Sequence, residues 1–205
     1  MSKETRALGG TFEIRADEGV EEGNTAFGLA APFSGFSHDF GDWKEEISPA
    51  AFDASLAAVE AGEHRVSFLW SHDSSQPLCS TRTGKLKLAK SEEGLTFEAD
   101  VSSMTPLMRS ALADGDMAVS IGFSVNKDTW ERVEGDSSVE FVRTLEEVKL
   151  IEVSLVLDPA YPQTNAVLRS LDAFKEEFRK EDNVDTAKQL RRLQYLRLSI
   201  RGTSA

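Results

Sequence analysis

The sequence predicts a mainly β fold with some helix: a closed or nearly closed barrel of about seven strands surrounded by helices, followed by C-terminal amphipathic helices. Three observations point there. Between residues 11 and 157 apolar side chains recur mostly at every second position, the period of half-buried strands. Turn-forming pairs punctuate those runs: Glu-Gly at 18–19, 22–23 and 93–94, and Gly-Asp at 135–136. After Pro162 the period becomes helical.

Taken in order, the strands are expected at Thr11–Arg15, Ala26–Phe33, Val66–His72, Lys85–Ala89, Leu95–Val101, Ala118–Lys127, Phe141–Leu150 and Ile151–Leu157. Two short helices interrupt them. Ser48-Pro49 supplies an N-cap and a first-turn proline, Phe52, Leu56 and Val59 follow on one face, and Gly62 is the stop. Thr105-Pro106 repeats the device, with Leu107, Met108, Ala111 and Leu112 as apolar positions and Gly115 as the stop. Seven or eight short strands with two short helices are the ingredients of a barrel. Beyond them, Val167, Leu171, Phe174 and Phe178 form one helical stripe; Leu190, Leu193, Leu196 and Ile200 form another past Asn183. This divides the chain into a barrel domain, 1–165, and a helical extension, 166–205.

Charge follows the same division. The 205 residues carry a formal charge of −12, yet the stretch from Asn183 onward holds 5 basic side chains and 1 acidic. An acidic body repels phosphate, so binding to nucleic acid or an anionic membrane is not expected. The basic end is where a partner of its own would dock. One cysteine, Cys79, excludes an intrachain disulfide and fits a reducing compartment. No apolar run reaches the roughly 18–20 residues of a membrane span, and the N-terminus has no apolar stretch of a signal peptide. The three histidines, His38, His64 and His72, have no metal-ligand spacing, and there is no Gly-rich phosphate loop. No cofactor or metal is expected.

Three segments carry chemistry. In HRVSFLWSHD, His72 shares a strand face with Val66, Phe68 and Trp70, a histidine where an apolar stripe meets solvent. His38 and His64 read as solvated. In GDMAVSIGFS, Met117, Val119, Ile121 and Phe123 face one way, while Ala118, Ser120, Gly122 and Ser124 make an opposite face of small residues. Such a face packs tightly on a neighbour or admits a substrate chain, with Ser120 or Ser124 as a nucleophile. In LIEVSLV, Glu152 interrupts an apolar strand, and a buried carboxylate there needs a partner. A histidine is a chemically apt one, since a carboxylate fixes its tautomer and stabilises the imidazolium.

The runs GDWKEEISPAAFDASL, VSFLWSHDSSQPL, GLTFEADV, GDMAVSIGFSV and LIEVSLVLDPAYPQTNAV occur in the order seen in the prohead proteases of tailed phages. Over residues 8–168 the chain resembles that family of capsid maturation proteases, distant relatives of herpesvirus assemblin. The resemblance implies an assemblin-like barrel and a serine endopeptidase working inside the procapsid, in the host cytoplasm. There it would cleave scaffold or the scaffolding segment of the major capsid protein precursor, and itself. It implies His72, Ser120 and Glu152 as catalytic residues, with Asp73 and Glu147 as competing acids and Ser124 ranked below Ser120. Activation of the herpesvirus relatives by dimerisation suggests a homodimer. The chain departs from the family's pattern at Cys79-Ser80 and at Ala50. Two other readings stand beside the protease: a non-catalytic internal scaffolding protein of the procapsid, and a small-ligand-binding barrel.

Overall fold

The computed structural model describes residues 3–15, 24–33, 43–115, 117–133, 141–157 and 171–176. Its strands are β1 (Glu4–Arg15), β2 (Thr25–Pro32), β3 (Trp43–Ile47), β4 (Ser67–Trp70), β5 (Pro77–Ser80), β6 (Leu86–Lys90), β7 (Gly94–Asp100), β8 (Ala118–Arg132) and β9 (Phe141–Val156). The helices are α1 (Asp53–Glu60), between β3 and β4, and α2 (Pro106–Ala113), between β7 and β8. The chain divides into two compact units, Met1–Pro162 and Gln163–Ala205. In the second, residues 171–176 are helical; the rest of the expected C-terminal helices lies outside the described residues.

The spine of the first unit is the antiparallel pair β8–β9, matched along the full length of both strands. Eight strands follow the order β5-β4-β9-β8-β1-β2-β7-β6, a nearly closed mixed barrel. A 3-10 turn, Thr81–Thr83, joins the two end strands, and Phe68 stacks on Phe97 at 5.4 Å from across the seam. β3 and β4 both run parallel to β9 on the edge away from β8, β3 beside Phe141–Leu145 and β4 beside Glu152–Leu155. The interior is filled by side chains from nearly every strand, among them Ala26, Phe68, Leu86, Phe97, Val119, Ile121, Phe123, Leu150, Val153 and Leu155.

Several expectations need correction. Helix α1 begins at Asp53, four residues past Pro49, because the intervening backbone is committed elsewhere. Ser48 N–H donates to Leu145 O and Val148 N–H donates to Ala51 O, so this stretch forms turns against β9. The cap expected of α2 is present: Thr105 Oγ1 accepts from Met108 N–H at 3.3 Å, with Pro106 in the first turn. The segments expected as Phe141–Leu150 and Ile151–Leu157 are one strand carrying a bulge, since Gly122 pairs with Glu152 but Phe123 pairs with Leu150. Strands β3 and β5 were not expected, and β1 starts seven residues earlier than its alternation suggests.

The missed parts of β1 and β3 share a cause. Glu4 and Arg6 stand opposite Phe123 and Ile121, on the core face, and Glu45 is fully buried between Trp43 and Ile47. Their charges are matched there. Arg6 Nε donates to Glu45 Oε1 at 2.9 Å and Arg6 Nη2 to Glu4 Oε2 at 2.7 Å. Arg143 Nη1 donates to Glu45 Oε2 at 2.8 Å and Nε to Asp128 Oδ2 at 2.7 Å. This network ties β1, β3, β8 and β9 together, and removal of one member strands the others in low dielectric. Glu45→Ala should therefore lower stability by about 3–5 kcal/mol in urea unfolding. Glu98→Ala, which breaks exposed pairs with Arg15 and Lys87, should cost about 1 kcal/mol or less.

Candidate active site

On an alternating sheet, polar groups that must meet have to point the same way. Ser120 does so simply: Val119 and Ile121 enter the core, and Ser120 faces outward, paired with Ser154 of β9. Glu152 does not follow from alternation. Val148 and Leu150 are core residues, so an unbroken β9 would send Glu152 inward with them. The extra residue Ile151 inverts the phase, so that Val153 and Leu155 point in while Glu152 and Ser154 join Ser120 on the outer face.

His72 needs a comparable device. Its expected place in a strand with Val66, Phe68 and Trp70 is wrong, because that face is the core face and β4 ends at Trp70. Ser71 and His72 both adopt left-handed backbone, φ 53° and 58°, which carries the imidazole over to the outer side. Each such residue costs of order 1–3 kcal/mol. The turn is held by Ser71 N–H to Leu155 O at 2.8 Å and Asp73 N–H to Trp70 O at 3.0 Å.

The three side chains meet. Glu152 Oε1 lies 2.5 Å from His72 Nδ1, and Ser120 Oγ lies 2.8 Å from His72 Nε2. A carboxylate acceptor fixes the proton on Nδ1, leaving Nε2 to accept from the serine hydroxyl. Ser120 and Glu152 are almost fully buried, while His72 is partly exposed. The other carboxylate oxygen, Oε2, receives Lys3 Nζ at 2.8 Å, a residue for which the sequence offered no signal. Burial pushes the Glu152 carboxyl up, but hydrogen bonds from His72 and Lys3, with their charges, hold it below the ordinary value. The small face is explained as well. A Cβ at Gly122 would lie 2.6 Å from Glu152 Cγ and 2.8 Å from Lys3 Cε, so glycine leaves the space that these side chains fill.

The competing candidates are engaged elsewhere. Asp73 accepts from Ser75 and Gln76 within its own turn, and Glu147 accepts from Asn126 at 2.9 Å. Ser124 lies on the same face as Ser120, but His72 Nε2 goes to Ser120. His64, expected to be solvated, is partly buried with Nε2 2.5 Å from Leu150 O, a strand carbonyl beside the bulge. His38 lies outside the described residues. Burial, then the charge of Asp100, pushes the Cys79 thiol up to about 12, which removes it as a nucleophile near neutrality. A cleft of about 500 Å³ adjoins Glu152, lined also by Ser67 and Leu69 of β4 and Pro77–Ser80 of β5. A larger one, about 640 Å³, lies between β1 and α2 and includes none of Ser120, His72 and Glu152.

The family model of the caudovirus prohead serine proteases matches residues 10–177. The chain belongs to that family. As a prohead serine protease it is a serine peptidase of phage capsid maturation. No curated protein and no solved structure matches it. Among the described residues of this prohead protease, no helix is long and apolar enough to cross a membrane.

Two measurements probe the site. Gly122→Ala should displace Glu152 and Lys3, slow peptide hydrolysis, and lower stability by about 1–3 kcal/mol in urea unfolding. A carboxyl held low in the folded state contributes stability above its ordinary value and loses it as pH falls. The advantage of wild type over Glu152→Gln should therefore be full above pH 4.5 and shrink below it, as read from urea midpoints.

Proposed function

We propose that this prohead protease is an endopeptidase in which Ser120 is the nucleophile, His72 the general base and Glu152 the acid that orients it. Its substrates are the scaffold or the scaffolding segment of the major capsid protein precursor, and the protease itself, inside the procapsid. The observation that carries this reading is the unbroken hydrogen-bonded chain from hydroxyl to imidazole to buried carboxylate.

The chemistry follows from the order of those groups. His72 Nε2 takes the proton of Ser120 Oγ as the oxygen attacks a peptide carbonyl, and Glu152 stabilises the imidazolium that results. The same nitrogen then returns the proton to the leaving amine, and the acyl-serine remains. Water, deprotonated by His72, hydrolyses the ester and restores the serine. The cleft beside Glu152, where Leu69, Pro77, Leu78 and Cys79 alternate with the polar Arg65, Ser67, Ser80 and Lys85, offers a seat for a substrate side chain. The basic stretch after Asn183 is suited to an acidic partner that brings the enzyme into the shell.

A non-catalytic scaffold has no use for a strained histidine turn aimed at a serine. Co-expression with the matching capsid precursor separates the two readings. Wild type should shorten the precursor and itself. Ser120→Ala or His72→Ala should remain folded and lose about 10⁴-fold or more of the cleavage rate. Undiminished processing by either variant removes that residue from the mechanism.

A further inference from the structure

Lys3 lies before the residues that the family model matches and immediately before β1, next to Glu4, which pairs with Phe123. Its stem passes over Gly122 and its ammonium reaches Glu152 Oε2 at 2.8 Å. An exposed lysine–carboxylate pair is ordinarily worth little. This pair is different in one respect: the carboxylate side chain is 3% exposed, and its other oxygen holds the imidazole. Resting on the assignment of Ser120, His72 and Glu152 above, we propose that Lys3 is a positioning residue of this protease. Its ammonium anchors Oε2 so that Oε1 is presented to His72 Nδ1.

The physical reasons are two. A carboxylate on a glutamate stem can rotate about its last torsion, a broad and roughly two-fold one, and trade oxygens. A second charged hydrogen bond, on the oxygen turned away from the imidazole, removes that freedom. The ammonium also opposes proton uptake by the carboxylate. The groups facing Glu152 are few. Among the described residues, His72 comes from the turn after β4 and Lys3 from just before β1; Ser120 and Gly122 come from β8, Ser67 from β4 and Ser154 from β9. Arg65 and Lys85 line the adjoining cleft, with Lys85 paired to Asp100. Among these groups Lys3 is the cation that bonds the carboxylate, on the oxygen that His72 Nδ1 leaves free.

The test needs no knowledge of the cleavage site. The second-order rate at which a fluorophosphonate probe labels Ser120 in the full chain reports the nucleophile and its base directly. Lys3→Met keeps the apolar stem and removes the charge; Lys3→Arg keeps the charge. Labelling of Lys3→Met should fall about tenfold, the low end of what partners behind a site histidine command. The acid limb of its pH profile should move to higher pH, since without the ammonium the Glu152 carboxylate takes up a proton more readily. Lys3→Arg should recover most of the rate, and all three Lys3 forms should be folded at the assay temperature by circular dichroism. Wild-type labelling by Lys3→Met, with slow labelling by Glu152→Gln, overturns the role of Lys3 and leaves the catalytic assignment standing. A fall at every pH that arginine does not rescue also overturns it. Undiminished labelling of Glu152→Gln would instead sink the catalytic assignment itself.

Discussion

A sheet alternates, and that single constraint governs this molecule. The barrel needs its inward positions apolar, and the chemistry needs a serine, a histidine and a carboxylate together on the outward side. Regular strands would satisfy one group of three. Ser120 follows the alternation of β8 between core residues Val119 and Ile121. Glu152 reaches the outer face through a one-residue bulge at Ile151, and His72 through two consecutive left-handed residues. Two local departures from ideal backbone thus build the site, in keeping with the general finding that strain and bulges concentrate where function is.

Those departures depend on a stiff frame. Ser120 and Glu152 sit on the two longest strands, which pair with each other from end to end, with further register shifts around Lys127. At the far end of the same pair, Arg143 and Asp128 join Arg6, Glu4 and Glu45 in a buried ionic network. Buried ion pairs add little net stability against an apolar core, but they penalise any register in which a partner is missing. In a sheet where a bulge at one residue brings Glu152 to His72, a register lock is a sensible use of charge. The pairing of β3 and β4 end to end on one edge of β9 completes the frame, since it fixes where the turn of His72 begins.

The sequence was most legible where composition and phase agree. The small-residue face of β8, the apolar interior and the capped helix α2 could all be read from spacing. Glu152 was legible as a misfit: a buried carboxylate amid Leu150, Ile151 and Val153 needs a partner, and it has His72, Lys3 and Ser154. The site of His72 was legible, but for the wrong geometric reason, because nothing in Ser71-His72 announces left-handed backbone without glycine. Lys3, β3 and the start of β1 were hidden by the same rule that revealed the rest. Charged residues at inward positions, Arg6 and Glu45 above all, erase the alternation by which strands are recognised, and only their long-range partners make them acceptable. Such partners are set by topology, which local pattern does not encode.

The order in which the strands occur along the chain bears on when the enzyme can come to life. His72 meets an acid 80 residues later, and the backbone that anchors its turn, Leu155, is later still. A ribosome-bound chain in which the last strand has yet to emerge possesses hydroxyl and imidazole but neither the carboxylate nor the tether for the turn. Under the proposed assignment of Ser120, His72 and Glu152, synthesis thereby imposes its own delay on cleavage of the chains growing beside it.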